Sequence, residues 1–410
     1  MKVLISAYAC EPGKGSEPGV GWNWAVQAAR RHEVWVLTRT SNRPSIEAAL
    51  EHDPVPRLHF LYEDFPEWAR FWKRGQRGVH AYYLAWQLAA YRRARGSHKQ
   101  IHFHLVHHLT FSAYWMAPLV GLLEAPFLWG PIGGAERLPA GLSDLLTMKH
   151  KIREFCKQTV GDLSRMDPVL RKTMRRASLI LAQTPSTIDR LPARFRDKAI
   201  VFPAVGVEVP CGDNRRDSGA DAPIRVISCG NLEYFKGHAL GLRAFAGFAR
   251  EHPNSEYRIA GEGRELVHLE KLADELGITN NVRFVGPLSR ADLLRQIEAC
   301  DILLHPSLRD PATWVVLEAM ACSRPVICLD VGGPAIQVTR ETGIPVPAGP
   351  NDRVVADLGR ALSVLAADQP LRDRMGAAGR RRVESEYVWP RRGDAILELY
   401  EKAARGSGEH

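Results

Sequence analysis

The chain has no C-x-x-C pair, and its seven cysteines (Cys10, Cys156, Cys211, Cys229, Cys300, Cys322 and Cys328) are an odd number set mostly in apolar runs. That pattern argues against a disulfide scaffold, and the thiols read as reduced core residues. Internal repeats and low-complexity tracts are also missing. Long apolar runs are few. The longest, Leu109 to Trp129, is interrupted by Pro118, Gly121, Glu124 and Pro126, which argues against a membrane span. The opening MKVLISAYAC runs at once into turn residues and a charged loop, so it reads as a first strand and is too short in its apolar part for a signal peptide. The expected location is the cytoplasm, with the inner face of the plasma membrane as a further option.

What is present is an ordinary globular composition, 45% hydrophobic and 25% charged over 410 residues. That length suits two domains of about 200 residues each, and two domains imply a cleft. The net charge of +9 means that the surface attracts anions. Nucleic acid, anionic lipid and sugar phosphates all satisfy it, although no recognised nucleic-acid motif accompanies the charge.

Periodicity organises the chain further. A strand (Lys2 to Ala9), a Gly-rich loop (Glu11 to Gly21), a helix (Trp22 to Arg31) and a strand (Glu33 to Thr38) make one β-α-β unit. Apolar runs at Leu58, Leu105, Pro126, Leu179 and Ala199 continue it as a doubly wound domain over residues 1–206. Residues 207–222 lose periodicity and read as a linker. A second doubly wound series spans 223–386, through IRVISCG, YRIAGEG, VRFVGPL, ILLHPS and PVICLD. Residues 387–405 follow a Trp389-Pro390 break and read as an amphipathic helix folding back onto the first domain. The fold class is α/β, two facing Rossmann-like domains.

In such sheets ligands bind beyond the carboxyl ends of the strands. Past ILLHPS, Asp310 and Glu318 stand eight apart, with Thr313 and Trp314 opening the helix that carries Glu318. A helix N-terminus suits a diphosphate, and two ionised carboxylates accept hydrogen bonds from hydroxyls. The same spacing also fits a helix cap and an internal ion pair.

The surrounding strings decide between these readings. ISCGNLEYFKG, IAGEG, NVRFVGPLSRADLL, ACDILLHPS, LEAMACSRPVI and VGGP, in order from Ile224 to Tyr387, resemble glycosyltransferase family 4, the retaining GT-B enzymes. The N-terminal half resembles it through its Gly-rich first loop and RHEVWVLT. The resemblance implies a hexosyl transfer from a nucleoside diphosphate sugar, UDP- or GDP-linked, with retained configuration. It implies no cofactor and no metal, since no D-x-D stands where the donor sits. It assigns the ribose to Glu318, donor-sugar hydroxyls to Asp310, the diphosphate to Lys236, and backbone amides on the sugar and phosphate to Pro311, Ala312, Thr313 and Trp314. Gly230 and Asn231 occupy the family's G-R position, so a charge is missing there. Gly261, Glu262 and Leu288 correspond to the nucleotide floor and base-contacting segments.

In the first domain, the loop with Gly15 and Glu17 lacks the G-K-[ST] of a P-loop, and the resemblance lays it over donor phosphates and acceptor. His107 and His108 end a strand; the resemblance makes His108 a donor-touching histidine and His107 an acceptor-side candidate, beside a reading as core histidines. Gly133, Gly134 and Glu136 in GPIGGAE are acceptor-side candidates beside an ordinary-loop reading. Trp68, Phe71, Trp72, Val79, Tyr82, Tyr83 and Trp86, interleaved with Lys73, Arg74, Arg77, Arg92, Arg93 and Arg95, fit either a core helix with a basic outer face or a face lying on anionic lipid. A basic stretch from Lys149 to Arg176 adds to the second. On that footing the acceptor is expected to be a lipid-linked saccharide in envelope or exopolysaccharide synthesis. The alternatives are a catalytically weak sugar-nucleotide-binding subunit, or a nucleotide-sugar epimerase on the same fold.

Overall fold

The computed structural model describes residues 1–66, 78–209 and 222–405. Two units are distinguished. Unit 1 holds Met1–Ala135, Lys157–Ala204 and Trp389–His410, and unit 2 holds Glu136–Cys156 and Val205–Val388.

Unit 1 is a parallel sheet of β1 (Lys2–Ser6), β2 (Glu33–Thr38), β3 (Leu58–Tyr62), β4 (Leu105–His108), β5 (Phe127–Ile132), β6 (Ala177–Ala182) and β7 (Ala199–Val201), in the order β3-β2-β1-β4-β5-β6-β7. Its strands are near-continuous apolar runs because helices cover both faces of a parallel sheet. The helices are α1 (Ser16–Ala29), α2 (Arg43–His52), α3 (Val79–Ile101), α4 (Met148–Leu163), α5 (Pro168–Arg176) and α6 (Pro185–Arg190), and α4 begins within unit 2.

Unit 2 repeats the plan with β8 (Arg225–Cys229), β9 (Glu256–Ala260), β10 (Val282–Gly286), β11 (Ile302–His305), β12 (Val326–Leu329) and β13 (Gly343–Val346), ordered β10-β9-β8-β11-β12-β13. The intervening helices are α7 (His238–Glu251), α8 (Leu266–Glu275), α9 (Arg290–Glu298), α10 (Trp314–Ala321) and α11 (Pro334–Gln337). Then come α12 (Asn351–Ala367) and α13 (Gln369–Arg382), while α14 (Trp389–Arg405) packs on α1 in unit 1. In each sheet the strand order reverses once, between β1 and β4 and between β8 and β11. These reversals are where an open α/β sheet parts its loops and leaves a crevice.

The structure departs from the sequence reading in several places. Residues 136–156, inside the stretch assigned to the first domain, belong to unit 2: Leu142 lies in its core and Gly141 abuts the backbone of Gly349. The helix read from Trp22 begins six residues earlier, at Ser16, so Glu17, Gly19 and Gly21 are helical and only the earlier part of the glycine run is loop. Close packing explains Gly21, since a Cβ there would stand 2.1 Å from the Ala9 carbonyl oxygen. Tyr82, Tyr83 and Trp86 face the core, ringed around Tyr8, and the Trp86 indole donates to the Glu63 carbonyl at 2.8 Å. They leave no aromatic face there for lipid. Trp68, Phe71, Trp72, Lys73, Arg74 and Arg77 lie outside the described residues, as does Cys211. Among the other cysteines, Cys156 is exposed on α4 while the remaining five are buried.

Candidate functional site

Lys236 follows β8 and Asp310 follows β11, so the two flank the strand-order reversal of unit 2. The fold brings them into contact, Lys236 Nζ donating to Asp310 Oδ2 at 2.5 Å. His305, the last residue of β11, places Nε2 3.4 Å from the same oxygen. Asp310 is nearly buried, which alone would raise its pKa. The Lys236 ammonium and His305 outweigh that and hold it below the ordinary carboxylate value. Burial lowers His305 despite the opposing pull of Asp310.

Backbone geometry fixes this pair. A short turn, Tyr234–Lys236, ends at Gly237, whose φ of +69° and lack of a Cβ allow it to lie against the Pro306 carbonyl, where a Cβ would approach to 1.9 Å. The Lys236 stem packs over Gly230. The loops after β8, β9 and β10 are tied by Gly230 N–H to Ala260 O, Leu232 N–H to Glu262 O, and Gly261 N–H to Gly286 O, each at 2.8 or 2.9 Å. Gly230, Asn231, Gly261 and Glu262 thus form one strand-end floor, with Asn231 and Glu262 exposed. Leu288 lies in the next loop, half-buried.

On the other side, Gly333 N–H donates to Asp310 O at 2.6 Å and Gln337 Nε2 to Thr313 O at 3.1 Å, clamping the 310–314 loop. Thr313 is the N-cap of α10, yet its side chain makes no capping bond, and its buried Oγ1 has no protein partner. Pro311 and Ala312 are half-buried beside it. Glu318, one turn into α10, is buried, and that burial raises its pKa against the opposing charge of Arg290, 3.5 Å away. The Arg290 guanidinium also lies 4.9 Å from the centre of the Trp314 ring.

The sequence reading missed Arg290, His305 and a third group. Buried Glu154 accepts from Arg309 at 2.5 Å and from the Tyr234 hydroxyl at 2.5 Å, and the His150 ring stacks on Tyr234 with centres 4.0 Å apart. Tyr234 stands two residues before Lys236 and Arg309 one before Asp310, so a single carboxylate from α4 ties both loops. Nothing local in the sequence marks a partner this distant along the chain.

Unit 1 arranges its own strand ends around β1 and β4. Glu17 Oε2 accepts from Phe111 N–H at 2.7 Å, and burial raises its pKa against that bond. Gly15 is the exposed residue before α1. Gly133 exchanges backbone bonds with the loop after β4, to Ser112 O and from Tyr114 N–H. Gly134 follows with φ of +88°, and Glu136, the first residue of unit 2, is buried.

The two histidines fall elsewhere than expected. His107 contacts the Tyr400 hydroxyl (2.7 Å) and the Gly130 carbonyl (2.6 Å), and His108 the Tyr83 hydroxyl (2.9 Å) and Ser6 Oγ (3.2 Å). Both ring nitrogens of each are taken up inside the core, because helices cover both faces of β4. Among the described residues no three His, Cys, Asp or Glu side chains converge as a metal-binding group.

Burial pushes His107 down to about 4, and His108 and His238 down to about 3, from an ordinary 6.5. The unfolded chain therefore takes up these protons first, so their contribution to stability is full above pH 6.5 and is lost as pH falls toward 4 and then 3. The melting temperature should begin to drop below pH 6.5, before carboxylates protonate near about 4.5. A thermal-shift series that stays flat over that interval would contradict the assignment.

Residues 213–382 match the model of the family described as glycosyl transferases group 1. The D-inositol 3-phosphate glycosyltransferase of Streptomyces bingchenggensis is 27% identical over 97% of this chain and 87% of its own. The glycogen synthase of Mycobacterium tuberculosis is 32% identical over 45% of this chain and 44% of its own. Among solved structures, sucrose-phosphate synthase from Thermosynechococcus elongatus superposes with a TM-score of 0.66 at 19% identity, covering 98% of each chain. Anabaena HepE in complex with UDP-glucose does so with 0.60 at 17%, over 98% of this chain and 99% of its own. Residues 213–382 thus match a group 1 glycosyltransferase domain, and the chain has the two-sheet GT-B fold.

Proposed function

We propose that the chain transfers a hexosyl residue from a UDP- or GDP-sugar to a hydroxyl acceptor, with retained configuration and without a metal. The observation that carries this reading is the Lys236–Asp310 pair at the β8/β11 reversal, beside the start of α10. Lys236 and the N–H groups at that start face the departing diphosphate, whose growing negative charge fixed positive groups stabilise. Asp310 and Thr313 Oγ1 receive sugar hydroxyls, and Glu318 the ribose. The leaving phosphate takes the acceptor proton on the same face of the sugar. Solved structures of Anabaena HepE with UDP and with UDP-glucose favour the uridine donor as the first to try.

The lipid-linked saccharide acceptor rested on the aromatic stretch, whose described members turn inward. The names of the curated relatives point instead to a phosphorylated polyol. A hydroxyl of such a polyol, or of a saccharide, is the acceptor proposed.

Release of nucleoside diphosphate from UDP- and GDP-sugars, measured with and without these acceptors and with a chelator, tests the reading. Acceptor-dependent turnover unaffected by chelator is expected. Tight donor binding without turnover would favour the binding subunit, and donor interconversion without acceptor the epimerase. A further expectation concerns Glu154: Glu154→Gln should raise the donor KM by about tenfold while kcat falls less, because the loops lose registry and keep their chemistry. An unchanged KM with a lowered melting temperature would make Glu154 a structural anchor only.

A further inference from the structure

α4 (Met148–Leu163) has an outer face that the donor site does not use. Met148, Ile152, Phe155 and Leu163 are 71%, 57%, 70% and 61% exposed, and Val160 is exposed as well. Their spacing of four, three and eight residues puts the first four within about 80° of arc on a helix turning 100° per residue. The opposite face carries His150 and Glu154, held by Tyr234 and Arg309. A single exposed leucine is unremarkable, but a continuous row of large apolar side chains marks an interaction surface.

The charges beside the row identify its partner. Lys149 and Lys151 are exposed and flank it, and Arg165 follows the helix. From Lys149 to Arg176 the sequence has nine lysines and arginines against Glu154, Asp162 and Asp167. Those acids are occupied: Glu154 by Arg309, Asp162 by Arg190, and Asp167 as the N-cap of α5. An apolar stripe bordered by basic residues is the pattern of a helix that lies in the plane of an anionic bilayer. A second copy fits less well, since a two-fold contact sets each patch against itself and would bring the basic borders together. No helix among the described residues is long and apolar enough to cross a membrane, so the contact is peripheral.

We propose that α4 docks the protein on an anionic lipid surface, Met148, Ile152, Phe155 and Leu163 entering the headgroup layer and Lys149 and Lys151 pairing with lipid phosphates. Co-sedimentation of the full chain with vesicles of phosphatidylglycerol and phosphatidylcholine, against phosphatidylcholine alone, tests this. Binding is expected to the anionic vesicles and to weaken with salt. The double variant Ile152→Ser, Phe155→Ser should bind about tenfold or more weakly while keeping the parent melting temperature. Lys149→Glu with Lys151→Glu should lose the anionic preference, which separates charge from burial should the first pair misfold. The proposal fails if the parent does not sediment with anionic vesicles or if both variants sediment as the parent does. It fails equally if light scattering shows a dimer that Phe155→Ser dissociates.

Discussion

A buried carboxylate and the ammonium 2.5 Å from it organise unit 2. Neither Asp310 nor Lys236 is well hydrated where it stands, and a charge taken out of water persists only when paired. The remaining geometry keeps that pairing: Gly237 lets its turn meet Pro306, Gly333 and Gln337 clamp the 310–314 loop, and Glu154 holds the residues beside each partner. Losing one partner would leave the other uncompensated. The two loops therefore behave as one element built across the reversal of the sheet.

Chemistry follows from this placement. In the proposed transfer, a compact ammonium beside a helix start would offer fixed positive potential to the departing diphosphate. Two carboxylates in different surroundings are shifted in opposite directions: burial raises Asp310 but Lys236 and His305 bring it below the ordinary value, while burial raises Glu318 with Arg290 opposing. Asn231 carries no charge, so in the proposed transfer Lys236 would supply more of the leaving-group stabilisation.

Much of the fold was legible because strands of a covered parallel sheet are apolar on both faces: Glu33–Thr38 and Leu58–Tyr62 stand where the sequence put them. β13 went unread, since Gly343–Val346 is four residues long and contains a proline. The start of α1 was misplaced because Gly21 answers to a close approach at Ala9, a tertiary demand no local pattern reveals. Lys236, Asp310 and Glu318 were singled out through the family resemblance, and the structure brings Lys236 and Asp310 into contact. Glu154 could not be singled out, its partners being 80 and 155 residues away. His107 and His108 were open to both a cleft and a core reading, and their partners Tyr400, Gly130, Tyr83 and Ser6 favour the core one. The apolar row on α4 has the period of a core-facing helix, and only the structure shows that it faces outward.

The most direct measurement is kcat of Lys236→Met at saturating nucleotide sugar, with the melting temperature as a control for folding. A fall of about 10²- to 10³-fold, the usual effect of removing a group that stabilises developing charge, is the outcome the account predicts. Parent-like turnover in a folded Lys236→Met would contradict it.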